Sequence, residues 1–402
     1  MALIFGLTIF TVAGCKDSGR RDDKPRGEPR DASGKRDDPS MQTLADGRKT
    51  FRFETFGNEE YWTGTAKLHS VIQQSVTPAM ALRVGLKIDA AAIPADVAAG
   101  IRNGTVDLNS TATTIALLKL DAVVGLKGTV REVDGKDSLV RVGITCALCH
   151  STVDNSFSPG IGHRKDGWAN RDLNVGAIIA LSPAITPEQK LVYNSWGPGK
   201  YDPRYNIDGM NTPLVIPPVY GLAQTRNATF TAEGSMSYWN AYVAVTQMHG
   251  QGNFSEPRLG INVRNSPPDL VDPKLPALRN YQHSLETPRP RANNTDNATI
   301  RSGRTVFNDN CARCHVDSKG TDNNDGILHA PSETGMDPKY AMRTANKKYR
   351  TTPLRGLWQH PPYFHDGSAE SLSDVVEHYN RTLKLRLTNT QKTDLIEYLK
   401  TL

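Results

Sequence analysis

Cys146-Ala-Leu-Cys149-His150 and Cys311-Ala-Arg-Cys314-His315 are the stretches on which the reading of this sequence turns. Two cysteines three positions apart bring both sulfurs within reach of the vinyl-derived carbons of one porphyrin, and the following histidine then lies under the iron as an axial ligand. The two frames therefore predict two haem c groups, bound through Cys146, Cys149 and His150 and through Cys311, Cys314 and His315. A redox dithiol, half of a zinc site, or one four-cysteine zinc site assembled from both frames are the alternatives, since thiolate and imidazole also serve zinc. Repetition of the frame, Gly- and Pro-rich surroundings and an export-like N-terminus weigh against them.

The chain has five cysteines, four of them inside the two frames, so none is left for a structural disulfide. The fifth, Cys15, follows the apolar stretch 2–14, which ends Val12-Ala13-Gly14. That stretch is short for a bilayer span, which takes about 20 residues. Its ending resembles a bacterial lipoprotein cleavage box, in which the cysteine becomes the lipidated first residue. One feature departs from that pattern: no Lys or Arg precedes the apolar stretch. The expectation is a periplasmic, membrane-anchored lipoprotein with Cys15 as its lipidation site, and Lys16 after the cysteine points to the outer membrane.

Across 402 residues the composition is 38% hydrophobic and 22% charged, as in ordinary globular protein with two or three domains. The net charge of +6 is spread along the chain, so a nucleic-acid partner has no support. Residues 16–40 are Lys, Arg, Asp, Gly, Pro and Ser almost throughout and read as a solvated tether. Residues 286–299, Glu-Thr-Pro-Arg-Pro-Arg-Ala-Asn-Asn-Thr-Asp-Asn-Ala-Thr, read as a second linker. The expected organisation is a signal segment at 1–15, the tether, an N-terminal haem domain with a helical extension at 41–285, the linker, and a C-terminal haem domain at 300–402.

Helical spacing marks 61–74, 90–101 and 107–124, whereas 151–211 is rich in Gly, Pro, Asn and Asp and predicts long loops. Leu395, Ile396, Leu399 and Leu402 fall on one face of a closing helix at 389–402. No run reads as a convincing strand, so the expected fold is mainly α. The halves also echo each other: 211–222 followed by Glu233-Gly-Ser235 resembles 352–357 followed by Asp366-Gly-Ser368, each leading into an amphipathic stretch. A duplicated haem-binding unit is the simplest explanation.

Tyr349-Arg-Thr-Thr-Pro-Leu-Arg-Gly-Leu357 and Pro362-Tyr-Phe-His-Asp-Gly-Ser368 resemble the C-terminal haem domain of the bacterial dihaem cytochrome c peroxidase group, including its MauG-type relatives. The resemblance is specific from 303 to 402, weaker from 146 to 260, and from 41 to 145 is limited to Gly47-Arg-Lys-Thr-Phe51. It implies two tandem class-I-like cytochrome c domains with long loops and leaves room for a calcium ion between the haems. It also implies a sixth ligand for the C-terminal haem at Tyr379, where the peroxidases carry methionine and MauG-type proteins tyrosine. The alternative for Tyr379 is an ordinary helix aromatic, with His378, Met336 and Met342 as outside candidates for the ligand. For the N-terminal haem, the internal repeat points to Met248, ranked slightly ahead of His163, to which the family's distal-histidine loop points. His365 resembles a residue close to the haem. Trp358 and Trp239 are candidates for an electron path, although core packing is the commoner role of such residues.

Two functions share this scaffold. One is electron transfer with periplasmic redox proteins as donor and acceptor. The other is peroxide reduction or MauG-like oxidation, which needs an open iron and a nearby acid or base. In the peroxidases a Glu in a Pro-x-Glu-Met context supplies that group. This sequence lacks the context, and Glu233 and Glu256 are the nearest substitutes.

Overall fold

The computed structural model describes residues 40–265, 267–290, 296–316 and 320–402; the expectations for Cys15 and for 1–39 lie outside them. Helices dominate and sheet is confined to five two-stranded pieces among the described residues. The mainly α expectation holds in that sense.

Two helix pairs frame the chain, and they repeat one contact. Met41–Phe53 packs on Leu275–Ser284, and Asn297–Asn310 packs on Asn389–Leu399. In the first pair Gly47 faces the Ala277 carbonyl, which a Cβ would approach to 2.1 Å; in the second Gly303 faces the Asp394 carbonyl at 2.0 Å. Four residues after each glycine comes a phenylalanine, and four after each carbonyl residue a tyrosine. Phe51 and Tyr281 meet at 5.6 Å between ring centroids and 59°, Phe307 and Tyr398 at 5.3 Å and 59°. Glycine costs a helix interior about 1 kcal/mol relative to alanine, so its use here reflects the close backbone approach it permits.

Each pair closes over its own apolar cluster. The first gathers Phe51, Trp239, Tyr242, Met248, Leu278 and Tyr281; the second gathers Val306, Phe307, Leu372, Val376, Leu395 and Leu399. The closing helix expected at 389–402 runs Asn389–Leu399, capped by Thr388 and burying Leu395 and Leu399.

Residues 40–402 nonetheless form one compact unit. The halves are dovetailed by backbone bonds: Val215 N–H donates to the His365 carbonyl at 2.8 Å and Arg350 N–H to the Phe230 carbonyl at 2.9 Å. Segment 211–222 of the first half thus touches the second half at His365, directly before Asp366-Gly-Ser368.

The first helical expectations are shortened by local chemistry. At 61–74 the chain makes a π-helical turn, Glu60–Thr65, and a separate helix, Leu68–Ser75, because Lys67 takes a left-handed conformation (φ 56). Pro94 splits 90–101 into a short turn and the helix Ala95–Asn103, and 107–124 contains Thr111–Lys119. Within 151–211 the expected loops are interrupted by short strands and by the helices Val175–Ala180 and Pro187–Asn194.

One expectation is corrected. Leu126–Val133 and Lys136–Ile144 form an antiparallel hairpin, with Val133 opposite Lys136. Asp134 and Gly135 form its two-residue turn with φ of 51° and 74°. Both central residues at positive φ suit the twist of the flanking strands, and Asp-Gly is a strong signal for such a turn. The strands escape a sequence reading because charged residues and glycine interrupt their apolar positions; of the second strand, Leu139, Val142 and Gly143 are buried.

Candidate haem centres

Each Cys-x-x-Cys-His frame folds as a single helical turn. His150 N–H donates to the Cys146 carbonyl at 3.2 Å and His315 N–H to the Cys311 carbonyl at 3.1 Å. The second turn continues from Asn297–Asn310, whose last turn holds Cys311 through the Phe307 carbonyl at 2.7 Å. The first follows the hairpin and is fixed on its far side by Gly167 N–H on the His150 carbonyl and Asn170 N–H on the Cys149 carbonyl.

The two histidines are oriented alike. His150 Nδ1 lies 3.0 Å from the Pro217 carbonyl, and His315 Nδ1 lies 3.2 Å from the Gly320 carbonyl. A carbonyl only accepts, so Nδ1 carries the proton and Nε2 keeps its lone pair for a metal. Such a bond fixes the tautomer and ring direction of a metal-ligating histidine. Burial holds both imidazoles neutral: it pushes His150 down to about 4 against the opposing pull of the Pro217 bond, and it lowers His315 as well.

The cysteines do not have the character of reactive redox thiolates. Burial pushes Cys146 and Cys149 up to about 12 and Cys311 up to about 11, whereas reactive thiols are depressed by nearby positive charge. Among the described residues, the one group of three ligating atoms close enough to share an ion is Cys314, Asp322 and His329, which joins no cysteine of the other frame. The four-cysteine zinc alternative gains nothing from the geometry. Nor does that group resemble the all-oxygen cage of a calcium site.

A cavity of about 760 Å³ opens over the second frame, lined by Cys311, Cys314 and His315 together with Phe307, Tyr379 and Met336. Its walls are mostly apolar, as a porphyrin face requires. Three observations test whether these residues fit a haem: the thiols and His315 share one wall, the histidine Nδ1 is held by a backbone carbonyl, and buried arginines with unpartnered N–H groups border the same space. All three fit. At the first frame Cys146 packs with the cluster containing Met248 and Phe51, and Cys149 with that of Leu148 and Leu173.

The sixth-ligand candidates separate. Tyr379 faces the C-terminal cavity, and burial, with Cys311 and Cys314 adding, pushes its phenol up to about 12. Met336 lines the same cavity, whereas Met342 is 56% exposed and His378 Nε2 is engaged by the Thr334 carbonyl at 2.8 Å. His365 also lines the cavity, with Nε2 3.0 Å from the Tyr349 hydroxyl. At the N-terminal frame, Met248 is buried at the end of the π-helical turn Val243–Gln247, and its carbonyl accepts from Trp62 Nε1 at 3.0 Å. His163 is exposed, its ring edge-on to Phe157.

The substitutes for a peroxidase carboxylate are both committed. Glu233 Oε2 takes Arg204 Nη2 at 2.5 Å and Thr231 Oγ1 at 3.1 Å, while Oε1 accepts Ala345 N–H at 3.0 Å. Glu256 is bonded by Arg258 through both oxygens and by Tyr238. Trp239 is a core residue of the first cluster, but Trp358 meets Trp168 edge to face at 5.9 Å, joining the two halves. Sequence reasoning gave no role to Trp168, Arg171 or Arg350. Only Arg350, inside the Tyr349-to-Leu357 stretch, stood in a segment already singled out.

Comparison with known proteins agrees with the second site. Residues 300–402 match the family model described as cytochrome c. Methylamine utilization protein MauG of Methylophilus methylotrophus is 30% identical over 122 residues, 26% of this chain and 36% of that protein. Hydrazine synthase subunit gamma of Kuenenia stuttgartiensis is 26% identical over 247 residues, 60% of each chain. The chain thus spans between about a third and three fifths of the length of these curated relatives. Among solved structures, a MauG-like protein associated with microbial copper homeostasis is 15% identical at a TM-score of 0.34, over 48% of this chain and 74% of that one. Kuenenia stuttgartiensis hydrazine synthase is 19% identical at 0.35, over 48% and 73%.

Proposed function

Because this chain carries a cytochrome c domain and is a relative of the MauG-type dihaem cytochromes, we propose that it is an exported two-haem electron-transfer protein. Haem iron, where bound, supplies one-electron chemistry. The observation that carries the reading is the matched pair of histidines, His150 and His315, each with Nδ1 committed to a backbone carbonyl and Nε2 left for a metal. Two frames built on one pattern, and two helix pairs with one glycine contact, support two haems in two tandem units. The Trp168–Trp358 contact gives the halves an aromatic junction for electron exchange.

Pure transfer is favoured over peroxide reduction by the two carboxylates. Glu233 and Glu256 each bond an arginine and a hydroxyl, which leaves neither ready to shuttle a proton. A MauG-like oxidative role is the second reading, and Tyr379 facing the C-terminal cavity is the observation that favours it.

A pyridine haemochrome assay on the purified chain is expected to give two haems, and oxidised-state EPR two low-spin signals. One haem or none sinks the two-haem reading. A high-spin signal with steady consumption of hydrogen peroxide moves the protein to the oxidative class.

The proposed setting is the periplasm, with the protein held at the membrane, the outer one favoured, by lipid on Cys15 and exchanging electrons with periplasmic redox proteins. The support is the apolar stretch 2–14 ending in small residues before Cys15. No described helix is long and apolar enough to cross a membrane. Stable anchoring takes more than one acyl chain, which lipoprotein modification supplies. Cys15→Ser is expected to move the protein from the membrane to the soluble fraction, and a variant that stays membrane-bound would locate the anchor elsewhere.

A further inference from the structure

The C-terminal cavity contains more positive charge than its own surroundings satisfy. Arg171, from the N-terminal half, lines it with Nε and Nη1 buried and without partners; its Nη2 donates to the His360 carbonyl at 3.0 Å. Arg350 lines the same cavity with Nε buried and unpartnered, its Nη1 held by the Asn227 carbonyl. Thr229, again from the N-terminal half and at a left-handed φ of 61°, adds a buried Oγ1 without a partner.

No carboxylate offsets these guanidinium groups. Around Arg171 stand the phenols of Tyr220 and Tyr363, whose hydroxyls are spent on Gln359 and on the Leu357 carbonyl. Burial pushes Arg171 and Arg350 down to about 10, still protonated at neutral pH. The two carboxylates in the cavity wall face His329 instead: Asp322 Oδ2 lies 2.8 Å from its Nε2, and Glu333 lies 3.1 Å from its Nδ1 and accepts from Ala330 N–H at 2.9 Å. A buried charge left unpaired is strongly unfavourable, so two facing one cavity call for anionic groups within it.

We propose that Arg171, Arg350 and Thr229 are the receptors for the propionate carboxylates of the C-terminal haem, so that the N-terminal half completes the pocket of the other half's cofactor. This rests on the two-haem reading above. A planar guanidinium fork suits a carboxylate, and two such forks with a hydroxyl donor lining the same cavity suit a pair of carboxylates. The segment 300–402 matched as a cytochrome c domain supplies only Arg350 to this set. Arg171 and Thr229 come from more than a hundred positions earlier in the chain, so the C-terminal haem is tuned by the packing of the halves.

The test uses the full chain with its haem content counted first; a chain that takes up no haem at Cys311, Cys314 and His315 overturns the two-haem reading and this proposal together. Positive charge beside a haem favours the reduced state. Arg171→Gln is therefore expected to shift the midpoint potential of the C-terminal haem downward, to alter the propionate bending modes in the resonance Raman spectrum, and to leave the N-terminal haem unmoved. Arg171→Lys should keep most of the potential while the bending modes still change, because the charge remains and the fork is lost. If Arg171→Gln fails to accumulate, Thr229→Val, of similar size, should give the same changes at smaller amplitude. Unchanged potential and bending modes in a fully loaded variant would overturn the proposal, as would a shift confined to the N-terminal haem. A free anion is the rival occupant of these donors. If added formate moves the wild-type midpoint and Arg171→Gln abolishes that sensitivity, the arginines hold a diffusible carboxylate and the propionate assignment is wrong.

Discussion

Tyr379→Phe is expected to convert the C-terminal haem from low spin to high spin or to a water ligand, seen as a change in the oxidised optical and EPR spectra. The phenol faces the cavity that holds Cys311, Cys314 and His315, and it is the group there to which the family resemblance assigns ligation. Burial keeps the free phenol neutral, at about 12. Loss of its oxygen leaves the aromatic packing against Phe364 and His378 largely in place, so a spectral change would report ligation and not collapse of the helix Leu372–Thr382. Tyr379→Met carries the test further. A thioether favours ferrous iron more than a phenolate does, so the haem should return to low spin at a higher potential. Axial ligands span about 0.8 V of haem potential, and the expected rise is on the order of tenths of a volt. If both variants keep the wild-type spectrum and potential, the ligand lies elsewhere, and Met336 in the same cavity is the next residue to replace.

What could be read in the sequence follows how local the determinant is. A Cys-x-x-Cys-His frame is complete within five residues, so its chemistry stands on the page as letters, and the fold adds only the carbonyls that orient each histidine. The Gly47 and Gly303 contacts are not legible in that way, because the carbonyls of Ala277 and Asp394 that require the glycines come from distant helices. The hairpin at 126–144 escapes the reading although Asp134-Gly135 is a local turn signal and Val140, Val142 and Ile144 alternate, because the charged residues and glycines of both strands dilute the apolar pattern. Glu233 and Glu256 looked like available acids until their partners were seen; nothing near Glu233 in sequence announces Arg204. Arg171 was invisible as a site residue for the same reason, since its cavity is built from the opposite half. Residues whose role depends on what faces them across the fold are the ones sequence reading misses.

The halves are also joined by an ionic clamp whose loss should be the most damaging single change to stability. Arg343 is buried, with side-chain exposure of 2%, and donates from Nη1 and Nη2 to Asp202 at 2.8 and 3.1 Å and from Nε and Nη2 to Asp208 at 2.9 and 2.8 Å. It belongs to the C-terminal half, and both carboxylates belong to the N-terminal half. Burial by itself would lower the pKa of the guanidinium, but the bonds to Asp208 and Asp202 outweigh it and raise the pKa, so the charge is secured by its partners. Asp202 is fully buried and also accepts from the backbone N–H groups of Arg204 and Thr212, which hold it in place whether or not the arginine is present. Arg343→Leu therefore strands a charge that cannot turn towards water. Breaking a buried pair by removing one partner costs about 3–5 kcal/mol, a large share of the roughly 5–15 kcal/mol that holds a domain together. Chemical denaturation should show a loss of that size, with the haem spectra retained until unfolding begins. The double variant Arg343→Leu with Asp202→Asn should recover part of it, because the stranded charge is gone and the amide oxygen still accepts from one of the two backbone N–H groups. A single variant as stable as wild type would mean that the halves are held by their apolar and backbone contacts alone.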